Sequence, residues 1–443
     1  MMNLITLFLS LCIIVINISI VHCNLSEMNK ALCDLGASTN LIDLAYGING
    51  NSGDDWKCID DEPVTLPCSW TASLSRCDVV NTTVSGLTLG EYGVTGTIPA
   101  SLCAWTELEH FIMTVTSIES SIPTCFGNLS GMLEVVLTSN PLLTGTFPIE
   151  IFDIENISFV RASGLNVTGT IPDTMWTMTE LYYLELNDMP KMSPSTIPDV
   201  ITGLAKLENF NIIEIPMYGS IPPSFISQTQ NTLEEFYLDS LNITGSIPTS
   251  IGDIQTLKIF NLYRMNYMSG SIPTSLYTLS QLTSFQLWYN PNITCTLPTD
   301  YTQINKLALL FLRDTPLLQG SIHTSIGSLT NLYGLFILDS PLVTGTIPTE
   351  LLSLTGMLYI QFDNTPMITG SIPSCIYLMS QLLILSFNAT KMTGTIPSTV
   401  GYLQDLEFFR AQLSDFTGSI PANVYNMTSL LGLQFSDLEY LDG

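Results

Sequence analysis

The segment GSIPTSLYTLSQLTSFQL, residues 270–287, contains every part of a structural repeat. It opens with Gly-x-Ile-Pro, where glycine permits a positive φ and close approach of a neighbouring coil, and proline fixes φ where no ladder N–H is needed. Leucines then recur at 276, 279 and 282, which predicts a segment that faces the core. Phe285 and Leu287 alternate with polar residues, and this period of two predicts a short strand with one buried face.

The same unit repeats along roughly four-fifths of the chain. Prolines that follow Ile, Phe or Leu lie at positions 99, 123, 148, 172, 198, 222, 248, 273, 298, 348, 373, 397 and 421. We call this position of each repeat the proline slot, and in one repeat His323 occupies it. The units are 24–26 residues long, and a fixed period of this kind predicts a solenoid with one shared core and one long parallel sheet. Coils are numbered 1–14 from slot 99 to slot 421, and a partial coil 15 follows.

Composition and the N-terminus predict an exported protein. The chain has 39 acidic and 12 basic side chains, and its net charge of −27 disfavours nucleic acids and anionic membranes as partners. Residues 1–23 combine a short apolar run with a Val21-His22-Cys23 cleavage site, so we expect a signal peptide there, with an uncleaved anchor as the alternative. No other stretch approaches the about 18 apolar residues of a membrane helix. We therefore expect a secreted or cell-surface location.

Cysteines and sequons agree with export. Eight cysteines follow residue 23 without a Cys-x-x-Cys pair, which favours disulfides over zinc ligands in an oxidising compartment. Nine Asn-x-Ser/Thr sequons predict N-glycosylation, at Asn24, Asn81, Asn128, Asn156, Asn166, Asn242, Asn292, Asn388 and Asn426. We expect a cysteine-containing N-terminal cap over residues 24–84 and a solenoid over residues 85–443.

Residues 128–148, NLSGMLEVVLTSNPLLTGTFP, resemble the plant-type leucine-rich repeat, LxxLxLxxNxLxGxIPxxLxxL. That family includes receptor-like protein and receptor-like kinase ectodomains and the secreted polygalacturonase-inhibiting proteins. The resemblance implies an α/β solenoid, a right-handed superhelix with a concave parallel β-sheet. Trp56, Pro67-Cys68-Ser69-Trp70 and Cys77 resemble the family's disulfide-bonded cap, which implies a Cys68–Cys77 bridge. Cys33 and Cys58 are then paired by elimination, because sequence alone does not fix connectivity.

Two features depart from the plant pattern. The asparagine whose side chain satisfies backbone groups at the turn occurs only at Asn140 and Asn290. Hydroxyl residues, which can accept similar bonds, fill six slots, at Thr116, Thr315, Ser340, Thr365, Thr390 and Ser414. This drift favours a non-plant eukaryote, such as a protist, as the source. The sequence also stops at Leu441-Asp-Gly443 without a capping unit, which favours a truncated receptor over a product whose last coil a partner shields.

Enzyme signatures are absent from the sequence. It has no Gly-x-Ser-x-Gly elbow, HExxH helix or phosphate-binding loop. His110 and His323 lie on coils 2 and 10, about 40 Å apart at one strand spacing per coil, too far to share a metal or form a dyad. His323 is interpreted as a lost proline; a functional alternative pairs it with Asp300 and Glu350 on the adjacent coils. We expect neither catalysis nor a cofactor or metal.

The informative surface is the outward side of the predicted strands, where four of the five arginines and a run of aromatics on coils 7–11 fall. Arg, Tyr and Trp commonly anchor interfaces. The predicted ligand-binding residues are Arg161, Tyr237, Asp239, Tyr263, Arg264, Trp288, Tyr289, Phe311, Arg313, Phe336 and Asp363. We expect an extracellular, non-catalytic module that binds a protein, peptide or glycan there. The alternatives are an inhibitor of a secreted glycan-degrading enzyme and the ectodomain of a transmembrane receptor or receptor kinase.

Overall fold

The computed structural model describes residues 58–59, 62–63, 75–77, 84–90, 95–98 and 100–435. The predicted signal peptide, the bridges Cys33–Cys58 and Cys68–Cys77, and the sequons Asn24 and Asn81 lie outside the described side chains. In these ranges, no helix has the length and hydropathy that a membrane crossing requires.

The concave face of the solenoid is a sixteen-stranded sheet that gains one strand from each coil. Its first strand pairs antiparallel with the second, and every later pair is parallel. The strands are β3 (Ser75–Cys77), β4 (Val84–Gly90), β6 (His110–Thr114), β8 (Glu134–Asn140), β9 (Phe159–Leu165), β10 (Tyr183–Asn187), β12 (Asn209–Ile213), β14 (Glu235–Asp239), β16 (Ile259–Tyr263), β18 (Ser284–Trp288), β20 (Leu309–Arg313), β22 (Gly334–Leu338), β24 (Tyr359–Gln361), β26 (Ile384–Ser386), β28 (Phe408–Arg410) and β30 (Gly432–Gln434). The predicted long parallel sheet is confirmed.

Shorter strands form a second layer on the flank that follows the concave sheet, as three sheets of two, three and seven strands, whereas coils 3 and 4 share only an isolated bridge there. They are β5 (Thr95–Gly96), β7 (Ser117–Ile118), β11 (Ser195–Thr196), β13 (Met217–Gly219), β15 (Asn242–Ile243), β17 (Gly270–Ser271), β19 (Ile293–Thr296), β21 (Leu318–Ser321), β23 (Val343–Thr346), β25 (Met367–Gly370), β27 (Lys391–Gly394) and β29 (Asp415–Phe416). Before the solenoid, β1 (Cys58–Ile59) and β2 (Glu62–Pro63) form an antiparallel pair.

In thirteen of the fourteen full coils the remaining side is a short helix that follows the proline slot, whereas coil 5 has no helix after Pro198. In the described part of the chain the single α-helix is α1 (Pro223–Thr229). The others are 3₁₀ turns, at Ala100–Ala104, Thr124–Asn128, Ile149–Asp153, Asp173–Thr177, Thr249–Asp253, Thr274–Thr278, Thr302–Ile304, Thr324–Ser328, Thr349–Ser353, Ser374–Leu378, Ser398–Tyr402 and Ala422–Asn426. Tight turns suit a unit of 24–26 residues, because a longer helix would not fit between two strands of one coil.

The core is continuous from coil to coil. The repeat pattern correctly predicts the buried residues of this unit. Leu276, Leu279 and Leu282 are fully buried, and Phe285 and Leu287 are at most 1% exposed. Phenylalanine rings on the inward side of successive strands contact one another from Phe210 through Phe236 and Phe260 to Phe285. Each coil buries its apolar edge only against its neighbours, so the array is stabilised collectively rather than coil by coil.

The predicted polar ladder is present at the turn after the strands. Asn140 Nδ2 donates to the carbonyls of Met113 and Thr138 at 2.9 and 3.0 Å, and its Oδ1 accepts from Thr116 Oγ1 at 2.7 Å. Where the asparagine is missing, hydroxyls take over: Thr365 Oγ1 donates to the carbonyl of Phe362 at 3.0 Å. All eight predicted ladder residues are buried, at Thr116, Asn140, Asn290, Thr315, Ser340, Thr365, Thr390 and Ser414.

His323 acts as the N-cap of the turn Thr324–Ser328. Its Nδ1 accepts from the Ser325 backbone N–H at 3.2 Å and lies 2.9 Å from Ser325 Oγ. At the turns Thr274–Thr278 and Thr349–Ser353 the N-cap is a proline, which offers no side-chain acceptor. The histidine therefore lacks the conformational restraint that proline imposes but adds a capping hydrogen bond to the turn. This hydrogen bond partly compensates for the lost proline.

Among the cysteines with described side chains, one pair forms a disulfide bond and two thiols are free, so not every cysteine is disulfide-bonded as the even count suggests. Cys103 and Cys125 form a bridge that links the turns of coils 1 and 2. Cys295 and Cys375, in coils 9 and 12, are unpaired and buried. Burial raises the pKa of Cys295 to about 11, so its thiol stays protonated and inert at neutral pH.

Candidate ligand-binding surface

Register brings four of the predicted binding residues into one row. On adjacent strands, Asp239 lies beside Tyr263, Tyr263 beside Trp288, and Trp288 beside Arg313. The alternation of side chains puts this row on the concave face, since the intervening residues Leu262 and Leu287 are in the core. The sequence pattern therefore gives a contiguous surface across coils 7–10.

One residue past each of these strands, the backbone adopts a positive φ, with values of 50° at Arg264 and 55° at Tyr289. This left-handed turn ends each strand and carries the side chain to the edge of the sheet. It adds Arg264 and Tyr289 to the row described above. We call the set Asp239, Tyr263, Arg264, Trp288, Tyr289, Arg313 and Asp314 the arginine–tryptophan patch.

Arg264 is held by two carboxylates. Its Nε and Nη2 donate to Asp239 Oδ1 and Oδ2, both at 2.7 Å, and Nη2 also lies 2.8 Å from Glu214 Oε1. The Asp239 side chain is only 5% exposed, whereas that of Arg264 is 39% exposed. Hydrogen bonding to Asp239 raises the pKa of Arg264 further above its ordinary value. Asp239 therefore faces Arg264 more than solvent and orients the guanidinium.

Trp288 and Arg313 form the second half of the patch. The Trp288 indole N–H donates to Asp314 Oδ2 at 3.2 Å, and the Arg313 guanidinium carbon lies 5.9 Å from the indole centroid. Arg313 Nε lies 3.2 Å from Asp314 Oδ2 and 3.7 Å from Asp339 Oδ2. Trp288 is oriented by these contacts and is still 36% exposed, and the neighbouring Tyr289 is 50% exposed, so both rings are open to a partner.

An open cleft of about 380 Å³ lies where these strands end. Its lining consists of Ser240, Leu241, Asn242, Arg264, Asn266, Trp288, Tyr289, Arg313 and Asp314. The period-two pattern of the strands does not identify Ser240, Asn242 and Asn266 as surface residues of the site, because they follow the strands. A signal was available: each is a short polar residue within three positions of a strand end, where the turn exposes side chains.

Other predicted residues lie apart from this patch. Arg161, on coil 4, places Nε 3.1 Å from Glu185 Oε2, close enough for an ion pair although not aligned for a hydrogen bond. Phe311 and Phe336, on coils 10 and 11, pack together at 5.4 Å between centroids in the central row of the sheet. Tyr237 contacts the patch through Tyr263, at 5.1 Å.

Asp363 has a structural role in the described structure. Its Oδ1 accepts from Ser386 Oγ at 2.6 Å and from the Asn388 backbone N–H at 2.8 Å. Burial raises its pKa, although these two hydrogen bonds act in the opposite direction. The carboxylate therefore links coil 12 to coil 13. Because Asp363 is partly exposed, its role as a ligand-binding residue stays a prediction. Among the described residues, no group of three or more His, Cys, Asp and Glu side chains could hold a metal ion.

The comparisons with known proteins agree with the repeat architecture. No family model matches the chain. Receptor-like protein 39 from Arabidopsis thaliana is 28% identical over 153 residues, which are 34% of this chain and 17% of that protein. The chain thus spans about a sixth of the length of this curated relative.

Two solved structures share the fold. A TDR receptor aligns with a TM-score of 0.67 and 23% identity, covering 79% of this chain and 60% of that chain. The Arabidopsis receptor kinase HAESA, solved in complex with the peptide hormone IDA and the co-receptor SERK1, aligns with a TM-score of 0.57 and 19% identity. That alignment covers 93% of this chain and 78% of HAESA. Both likenesses establish the leucine-rich repeat fold.

Proposed function

We propose that this plant-type leucine-rich repeat protein is an extracellular, non-catalytic recognition module that binds a peptide or protein segment on the concave face of coils 7–10. The observation that carries the proposal is the arginine–tryptophan patch, in which two arginines and two exposed aromatic rings surround one open cleft. Such residues commonly dominate binding energy, because they combine large rigid area with directed hydrogen bonds.

The patch is prepared for binding before a ligand arrives. Asp239 and Glu214 fix Arg264, and Asp314 fixes both Trp288 and Arg313. Side chains that are already held lose less conformational freedom on association, so more of the contact energy appears as affinity. This is the difference between the patch and a merely mixed polar surface.

Most of the predicted glycans lie away from the strands of the concave face. The described sequon asparagines lie in 3₁₀ turns, loops or the second layer, and none lies within a strand of the concave sheet. Asn242 also lines the cleft, so a sugar on this residue would stand at the edge of the cleft. HAESA, which has the same fold, is bound to a peptide hormone, and this supports a peptide over a glycan as ligand.

The proposal is tested by selecting displayed random peptides, and in parallel probing an array of glycans, against the full chain. We expect peptides to be enriched and to lose about tenfold or more in affinity for Trp288→Ala/Arg313→Glu, because these side chains form the rim of the cleft. Fluorescence anisotropy with the selected peptides measures this change.

The matched control is Tyr402→Ala/Lys391→Glu, which makes the same types of change at exposed positions away from the concave sheet. It should retain affinity within about twofold. Equal losses in both variants, or retained affinity in a correctly folded Trp288→Ala/Arg313→Glu protein, would refute the patch. Enrichment of glycans alone would refute the peptide assignment.

A further inference from the structure

A second surface on the concave face, on coils 3–7, has a different chemistry. Register places Glu134, Phe159, Tyr183, Asn209 and Glu235 side by side on successive strands. The rings of Phe159 and Tyr183 stack at 4.2 Å and 9° between planes. We call the set Glu134, Phe159, Tyr182, Tyr183, Glu185, Glu208, Asn211 and Glu235 the acidic tyrosine patch.

Tyr182 extends the aromatic centre towards the edge where the strands begin. Its ring meets Phe159 edge-on at 5.9 Å, and 40% of the residue is exposed. Burial, Glu134 and Glu208 raise the pKa of Tyr182, and burial and Glu185 raise that of Tyr183. Both phenols therefore stay neutral at physiological pH and present ring faces rather than extra charge.

The carboxylates of this patch are unequally neutralised. His110 Nδ1 lies 2.7 Å from Glu134 Oε2. The Tyr183 hydroxyl donates a hydrogen bond to Glu185 Oε2 at 2.7 Å, and Arg161 Nε lies 3.1 Å from the same oxygen. Glu208 and Glu235 form no ion pair within the described ranges. Their charges lie beside the exposed aromatic surface without a cation.

Asn211 supplies an independent sign of a missing ligand. It lies on the concave face between Glu185 and Tyr237, and is 9% exposed. Its Oδ1 is buried and has no hydrogen-bond partner in the described structure. A buried acceptor without a donor costs free energy, and a ligand donor would remove that cost.

We infer that the acidic tyrosine patch binds a cationic side chain, the guanidinium of arginine or the ammonium of lysine, carried by a peptide partner. The unpaired charges of the patch are two carboxylates, its buried atom without a partner is the Asn211 amide oxygen, and tyrosine ring faces lie beside them. Guanidinium and ammonium are donor-only groups that also bind over aromatic faces. A chain with a net charge of −27 further favours a basic partner through long-range attraction.

This inference goes beyond the proposed function, since it concerns different coils. Four strand spacings, about 19 Å, separate β10 from β18, and Trp288 lies four residues further along its strand than the residue in register with Tyr183, so the two residues are about 23 Å apart. An extended peptide of about seven residues spans that distance, so one ligand could contact both patches. The two patches can nevertheless be tested separately.

The test uses N-acetyl-arginine amide as the probe and N-acetyl-citrulline amide, its neutral isostere, as the matched control probe. Titration of the full chain is followed by isothermal calorimetry. We expect saturable binding of the arginine probe in the millimolar range, as for a fragment-sized ligand, and at least about fivefold weaker binding of the citrulline probe.

Glu208→Gln/Glu235→Gln should weaken the arginine probe by about fivefold or more, and Tyr182→Leu should weaken it through loss of the ring face. Glu155→Gln/Asp253→Asn removes the same net charge at exposed positions outside the strands of the concave sheet, and should leave binding unchanged. Circular dichroism checks that each variant is folded.

Three results would overturn the inference: equal binding of the two probes, no saturable binding, or equal weakening by the two charge-removing pairs. Trp288→Ala/Arg313→Glu should leave the arginine probe unaffected. Failure of this patch is therefore distinguishable from failure of the arginine–tryptophan patch.

Discussion

The acidic tyrosine patch and the arginine–tryptophan patch share one backbone and differ in how carboxylates hold the neighbouring arginine. Beside the first patch, Arg161 makes a single contact with Glu185, at 3.1 Å. In the second, Arg264 makes a bidentate contact with Asp239 and a further contact with Glu214. The repeat supplies equivalent strand positions in both regions, and the side chains placed on them decide whether a region is prepared for one ligand chemistry or another.

The largest expected effect is the loss of stability when the arginine contacts are removed. Arg264→Ala leaves the Asp239 carboxylate buried without its partner, which destabilises buried ion pairs by up to about 5 kcal/mol. Because Arg264 is partly exposed, we expect a loss of about 2–3 kcal/mol, against about 1 kcal/mol for Arg161→Ala. Hydrogen exchange at the amides of β14 and β16, compared with β9 and β10, measures the two losses locally. Equal losses would contradict the contrast between the patches.

A second prediction concerns alkaline pH. Burial, then Asp239, raises the pKa of Tyr263 from an ordinary value of 10 to about 12. Above pH 10 the unfolded chain releases this proton while the folded chain keeps it, so the free energy of unfolding falls as pH rises towards 12.

The expected loss at pH 11–12 is roughly 1–2 kcal/mol, and Tyr263→Phe should remove it. Denaturant unfolding at pH 8 and pH 11 provides the measurement, with Tyr402→Phe, at a mostly exposed position, as the control. An identical pH dependence in wild type and Tyr263→Phe would show that burial does not govern this hydroxyl.

The smallest expected effect concerns the left-handed residue near the end of each concave strand. Coil 4 uses Gly164 there, at φ 65°, whereas coil 9 uses Tyr289, at φ 55°. Glycine relieves left-handed strain of about 1–2 kcal/mol but enlarges the unfolded ensemble by about 0.4–1 kcal/mol. Tyr289→Gly should therefore stabilise the chain by up to about 1 kcal/mol while weakening peptide binding. Gly164→Ala should destabilise it by a similar amount.

Thermal unfolding and the peptide affinity assay together check this pair. If Tyr289→Gly lowers stability, the ring contributes more to packing than to the surface. If it leaves affinity unchanged, Tyr289 is outside the binding site. Either result would sharpen the distinction between residues kept for the fold and residues kept for the ligand.

Much of the fold follows from the sequence because each requirement is local and repeated. The proline slots, the inward pairs such as Phe285 and Leu287, and the ladder residues recur at a fixed spacing, and all of those described lie where the pattern predicts. The capping bond of His323 could not be foreseen, since it depends on the position of the Ser325 amide. The Cys103–Cys125 bridge needed the stacking of adjacent turns to bring both residues together.

The candidate sites divide in the same way. The period of two identifies Trp288 and Arg313 as outward residues, because alternation along a strand fixes the face of each side chain. It does not show that Asp239 is buried beneath Arg264, or that Glu208 and Glu235 flank Tyr182 and Tyr183 without a cation. The sequence by itself determined the repeat, the core and the outward rows, whereas the tertiary structure decided which outward charges are paired. Pairing depends on distances across coils about 25 residues apart, and these are set only when the coils stack.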